Sequence, residues 1–224
     1  MNLTEIREAF SRYVPPKAVD TCLDWISEYR IAVRISRSRN SKYGDYRPPA
    51  EGKGHRISIN HDLNPYAFLL TFTHEVAHLV TFNKYRFRVD PHGKEWKHEF
   101  KKLMTPFLFG GIFPRDLVTA INDYLGNPAA SSCSDINLMR SLGKFDKKDK
   151  QWLFLEELEQ DTRFRIRTGR IFIKGRKLQK NFSCTCVKSR HTYFINPLTE
   201  VQPVTAAQPV SMNHKKSTTT KSRR

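Results

Sequence analysis

The sequence is poor in cysteine: its four thiols, Cys22, Cys133, Cys184 and Cys186, are scattered and form no framework of pairs. That excludes a disulfide-stapled scaffold and points to a reducing compartment, a bacterial cytoplasm or a nucleus. The expected location is cytoplasmic, on the nucleoid if the source is bacterial. No apolar run approaches the ~20 residues a membrane helix needs, so no membrane partner is expected. Met1-Asn2-Leu3-Thr4-Glu5 lacks a basic start followed by an apolar stretch, so no secretory signal is expected. There is no internal repeat. Acidic residues are scarce, 22 against 39 Lys and Arg, which leaves a formal net charge of +17.

What the sequence does hold is unevenly placed. Residues 1–125 carry a net charge of +5 and residues 126–224 a net +12. Between Arg163 and Arg190 stand ten basic residues and no acidic one. A field of that sign attracts polyanions and raises their encounter rate, so DNA is an expected partner. A solvated face that only aids solubility would carry the same composition.

Hydrophobic periodicity sets out the elements. Leu3 to Tyr13 reads as a short amphipathic helix, and Pro15-Pro16 opens a second with Val19, Cys22, Leu23 and Ile26 on one face. Residues 31–37 alternate as a strand, 38–54 read as a loop, and 55–60 resume the alternation, which predicts two paired strands in a small sheet. Asn64 is a good N-cap and Pro65 suits the first helical position. The apolar helix that follows runs through Phe68, Leu69, Phe72, Val76, Leu79 and Val80. Gly93 to Met104 and Pro114 to Leu125 are two further helices, and Gly126-Asn127-Pro128 ends the last. From Arg163 the period changes to two, with turns at Gly169 and Gly175, which predicts a small antiparallel β module.

The apolar helix carries His74-Glu75-Val76-Ala77-His78. Histidines at i and i+4 lie on one face, one turn apart, and can hold a single zinc ion. The glutamate beside the first histidine then faces the metal's water, whose pKa the zinc lowers. Glu75 is the expected catalytic base, taking the water's proton and passing it to the leaving amine. The pattern fixes only three positions, so chance produces it on exposed helices. Here it lies in a strongly apolar helix, where His-Glu on the inner face is costly without a use.

Four residues compete for third ligand. His92 stands in Asp90-Pro91-His92-Gly93, immediately before a helix, where Gly93 permits a close backbone approach. Glu95, His98 and Glu99 lie inside that helix. The metzincin pattern needs a histidine six residues after His78, where this chain has Lys84, so that class is excluded. Glu95 and Glu99 lack the surroundings of a glutamate-ligand class. His92 is preferred, since three imidazoles plus one open position for water is a working catalytic arrangement.

His74-Glu75-Val76-Ala77-His78 followed by Pro91-His92-Gly93-Lys94-Glu95-Trp96 resembles the SprT-like (SprT/Spartan-like) zinc metallopeptidases over roughly residues 15–125. The resemblance implies one catalytic Zn2+ held by His74, His78 and His92, with Glu75 as base. It also implies DNA binding and cleavage of proteins bound or crosslinked to DNA. Many relatives carry a four-cysteine zinc ribbon after the catalytic domain. Here that region offers only Cys184-Thr185-Cys186, so a β module held by apolar packing is expected.

The expected fold class is therefore α+β. A zincin-like helical catalytic domain with a small sheet spans 1–126, a linker 127–150, a basic antiparallel β module 151–204 and a disordered basic tail 205–224. Candidate nucleic-acid contacts are Arg163, Arg165, Arg167, Arg170, Lys174, Arg176 and Lys177. The first three would form a charged stripe on one strand face, with Phe164, Phe172 and Phe182 as core. Contact with the phosphate backbone is expected, not sequence readout. The substrate strand could pair with the edge of the 55–60 strand. The expected protein is a monomeric DNA-associated zinc peptidase with a protein substrate. The alternatives are a nucleic-acid-binding zinc protein of transcription or genome maintenance with little peptidase activity, and a generic zinc peptidase.

Overall fold

A computed structural model describes residues 3–39, 42–128, 135–146 and 151–204. The tail 205–224, expected to be disordered, and residues 129–134 and 147–150 of the expected linker lie outside the described residues. The chain divides into two compact units, Met1–Lys147 and Lys148–Arg224. It is a mixed helix-and-sheet protein with two separate small sheets.

In the first unit, helices α1 (Leu3–Ser11) and α2 (Val19–Glu28) precede strands β1 (Ala32–Ser36), β2 (Gly44–Arg47) and β3 (Arg56–Asn60). The strand order is β1-β3-β2. β1 runs parallel to β3, with Val33 opposite Ile57, and β2 runs antiparallel to it, with Tyr46 opposite Ile57. Two expectations change here. The loop 38–54 contains β2, which Gly44, Asp45 and Arg47 disguise because none favours a strand. The 55–60 strand is the centre of the sheet, so it has no edge to offer a substrate. Alternation on β3 buries Ile57 and Ile59 and leaves Arg56 and Ser58 on the opposite face.

Against the buried face lies α3 (Pro65–Tyr85). The Asn64 side-chain oxygen accepts from the backbone N–H groups of Tyr66 and Ala67 at 3.1 and 3.0 Å, which satisfies two of the helix's orphan donors. Phe68, Leu69, Phe72, Val76, Ala77 and Leu79 are wholly buried, so the helix is enclosed on most sides and not merely on one stripe. Each large side chain contributes about 1.5–3 kcal/mol on leaving water. Phe10 meets Phe72 edge-on at 5.1 Å between ring centroids, which ties α1 to the helix.

Helices α4 (Lys94–Phe109) and α5 (Arg115–Gly126) complete the layer. α4 runs beyond the expected end at Met104 and passes Pro106, which costs a ladder bond. Phe107, buried against Trp25 at 5.4 Å, offsets that cost. Within the expected linker, residues Ile136–Gly143 form α6, capped by the Asp135 carboxylate on Leu138 N–H at 2.9 Å. Leu138 and Leu142, one turn apart, are buried in the first core. The Asn64 amide donates to Leu142 O at 3.0 Å and to Asp146 Oδ1 at 2.6 Å, which fastens the end of α6 to the start of α3. Eight residues are too few for a helix to stand alone, so this contact creates the element.

The second unit is a six-stranded antiparallel sheet of β4 (Leu153–Phe154), β5 (Arg163–Ile166), β6 (Ile171–Lys177), β7 (Phe182–Cys186), β8 (Thr192–Ile195) and β9 (Glu200–Pro203), in the order β4-β9-β5-β6-β7-β8. Phe164, Phe172, Phe182, Cys184, Cys186 and Val201 form its core with Leu155. The aromatics therefore pack inward as expected, and both cysteines of the C-x-C pair are core residues. Gly175 sits where a β-carbon would meet the Ser183 carbonyl, beside the register shift between Lys174 and Lys177. Only glycine fits that approach.

Candidate metal centre

α3 presents His74 and Glu75 buried and His78 half-buried, while His92 arrives from the turn before α4. That turn closes through a bond from Gly93 N–H to Asp90 O at 3.0 Å. The Nε2 atoms of His78 and His92 lie 3.2 and 3.4 Å from Nε2 of His74. Among the described residues these three are the group whose ligand atoms converge, all within 4.8 Å of one another. A tetrahedron with metal–nitrogen bonds of about 2.0–2.1 Å has edges of roughly 3.3 Å, so the spacing suits an ion held by three imidazoles.

Trp96 holds the rings in place. It is fully buried, with its centroid 4.6 Å from His74, 5.2 Å from His78 and 4.7 Å from His92. Phe100 stacks behind it at 5.0 Å. An apolar wall of this kind fixes rotamers and strips water from the imidazoles. Burial pulls His74 well below the ordinary histidine pKa, assisted by His78 and His92. Burial takes His78 down to about 3 and also lowers His92. Each imidazole is therefore neutral at physiological pH and keeps a lone pair for a metal.

The competing ligand candidates are not part of the converging group. Glu99 is buried and pairs with Lys84 at 2.6 Å, a bond between α3 and α4. Lys84, at the position where a metzincin has its third histidine, thus serves a structural ion pair. Glu95 lies 3.9 Å from Lys94, and His98 is exposed.

Glu75 is placed by a strand that sequence reading missed. Gly44 of β2 lies so close that a β-carbon there would meet Glu75 Oε1, and would stand 2.8 Å from both Glu75 Cγ and Thr71 Cγ2. The backbone N–H of Tyr46 donates to the Glu75 carboxylate. Burial, with Asp45 adding to it, pushes the Glu75 pKa up to about 8 against the pull of Tyr46, Lys42 and Arg39. No sequence signal marks Gly44, because its role lies in a neighbour 31 positions away on another element.

The expected nucleic-acid residues are dispersed, not gathered. Arg163 and Arg165 share the outer face of the second sheet, with Ile173 and Ile171 opposite them in register. Phe194, 67% exposed, lies opposite Ser183 on the same face and was not anticipated. Arg167 leaves the expected stripe: it sits in the turn after β5, pairs with Glu200 at 2.7 Å and covers Trp152. Glu200 comes from β9, so the acid-free stretch acquires a carboxylate only on folding. Arg170 packs over Tyr193 and Phe172. Lys174 is buried, donates to the carbonyls of Glu156 and Leu158, and lies over Phe182. It is structural. Arg176 and Lys177 are exposed at the end of β6.

A helix and the turn that precedes the next one thus bring three imidazoles together in an arrangement that could hold a metal ion, with the buried Glu75 next to His74 on the same helix. Residues 12–114 match the SprT-like family, and this segment contains the whole three-histidine site. That family is metallopeptidase-like. No curated protein and no solved structure gives a match. Among the described residues no helix is long and apolar enough to cross a membrane.

Proposed function

We propose that the first unit is a zinc-dependent, zincin-like endopeptidase that acts on proteins associated with or crosslinked to DNA. The observation that carries the reading is the buried Glu75 carboxyl beside three convergent neutral imidazoles. His74, His78 and His92 would hold the ion. When bound, zinc polarises the scissile carbonyl and acidifies water.

The chain's own residues do the rest. Glu75 takes a proton from the attacking water onto its carboxylate and hands it to the amine nitrogen as the peptide bond breaks. Burial raises the Glu75 pKa above the ordinary carboxylate range, which favours its taking up a proton. Tyr46 N–H and the close approach of Gly44 orient that carboxylate. Trp96 keeps the ligand rings from turning. With β3 occupied on both sides, the free edge of β2, which already touches Glu75, is where an extended substrate segment would pair.

The nucleic-acid part rests on charge and on one surface. The net charge is +17, and the outer face of the second sheet combines Arg163 and Arg165 with the exposed Phe194. Basic groups can neutralise phosphates while an exposed ring stacks on a base.

The test uses the full chain loaded with zinc and a protein crosslinked to single-stranded DNA. The wild type cleaves the conjugate, and Glu75→Gln does not, while keeping its metal and its DNA affinity. A metal-loaded wild type that cleaves neither the conjugate nor the free protein would sink the peptidase reading. Equal cleavage of both would sink the DNA part.

A further inference from the structure

The sheet of the first unit has a second face, turned away from α3. A cleft of about 840 Å³ opens on it. Its lining includes Arg34, Arg37, Arg39, Arg47, Lys53 and Arg56, with Asp45 as the lone carboxylate. Asp45 is already taken, by Lys42 at 2.6 Å and Arg47 at 2.9 Å. Arg34, Arg37 and Lys53 are exposed and, with Arg56, have no ion pair among the described residues.

Two features make this arrangement costly without an anion. Arg47 and Arg56 stand directly opposite each other in the β2–β3 register, a like-charge cross-strand pair that destabilises a sheet. Arg39 is fixed at the floor by bonds to Asn60 Oδ1 at 2.9 Å and Ser58 Oγ at 3.1 Å, so its charge cannot swing away into solvent. Cations gathered around one concave surface create a positive potential there. Five of the six are arginines, whose planar fork matches phosphate oxygens better than an ammonium does.

We propose that this cleft is a nucleic-acid contact carried by the first unit itself, taking the phosphodiester backbone of a strand on the sheet face opposite the metal helix. The assignment rests on the nucleic-acid reading above and adds a second, separate surface to it. β2 then has two roles: Gly44 and Tyr46 of one face position Glu75, and Arg47 of the other faces the phosphates. A bound strand is thereby held one strand's thickness from the reacting groups, which suits a peptidase whose substrates are attached to DNA.

The experiment measures binding of a fluorescent single-stranded DNA oligonucleotide to the full chain over a salt series. The combined variant Arg34→Gln, Arg37→Gln and Lys53→Gln removes three exposed cations that make no structural bond. The variant is expected to lose about tenfold or more in affinity, with a salt slope shallower by about 2 for three lost phosphate contacts. Its circular dichroism, zinc content and cleavage of a short peptide stay at wild-type values. A wild type that binds while the variant binds equally well, with the same slope, overturns the cleft and leaves the nucleic-acid reading standing. A wild type that does not bind the oligonucleotide overturns both. Competition by polyglutamate as effective as by unlabelled DNA of equal charge would make the cleft a site for acidic peptides and overturn the proposal.

Discussion

Gly44→Ala perturbs Glu75 without altering a metal ligand. The added β-carbon would stand 2.8 Å from Glu75 Cγ and from Thr71 Cγ2, and closer still to Glu75 Oε1. Ordinary contact begins near 3.4 Å, so these groups must give way by roughly 0.6 Å or more. Thr71 sits on the rigid, buried α3, and Glu75 is the side chain with freedom to move. Overpacking of this kind costs about 1–3 kcal/mol of stability. A misplacement approaching 1 Å at a reacting group can cost about 100-fold in rate. The expected result is a kcat lower by about 10–100-fold, a smaller change in KM, and unchanged zinc stoichiometry. The assay pairs peptide cleavage with metal analysis and a thermal melt. A folded, zinc-loaded variant with wild-type kcat refutes the reasoning. So does a variant that loses zinc in parallel with activity, because the effect would then not pass through Glu75.

Three further outcomes follow from the same geometry. His92→Ala should weaken zinc binding by orders of magnitude while the helical signal persists, as read by competition with a metallochromic chelator; unchanged affinity removes His92 from the site. The metal-free protein should be acid-labile. His78 drops from 6.5 to about 3 on burial, so the folded state binds fewer protons and its stability, full above pH 6.5, falls as the pH falls towards 3. That residue alone removes about 2 kcal/mol between pH ~7.5 and ~5, which urea titration measures; a flat profile contradicts it. Leu138→Ala should cost about 2–5 kcal/mol, because the side chain is fully buried, whereas a linker position would change the melting temperature little.

Where local chemistry decides, the sequence was a sufficient guide. Asn64-Pro65 starts α3, the i, i+4 spacing sets His74 and His78 on one face, and Pro91-His92-Gly93 opens α4. These depend on helix geometry and caps, which act over a few residues. Alternation likewise announced β1, β3 and the strands β5 to β8 of the second sheet, but not β4 or β9, and Gly175, expected in a turn, lies inside β6.

Tertiary structure decided what depends on distant partners. The chain's composition hid β2, since Gly44 and Asp45 are poor strand formers and only pairing with β3 makes them one. α6 reads as part of a linker until Leu138 and Leu142 meet the first core. Arg167 and Lys174 look like free cations until Glu200 and the carbonyls of Glu156 and Leu158 engage them. The sequence determined that two histidines and a glutamate share a helix. Folding alone brought His92 within 3.4 Å of His74, set Gly44 against Glu75, and lowered the imidazole pKa values by burial. Electrostatics and close packing are properties of what surrounds a side chain, and the surroundings exist only once the chain has folded.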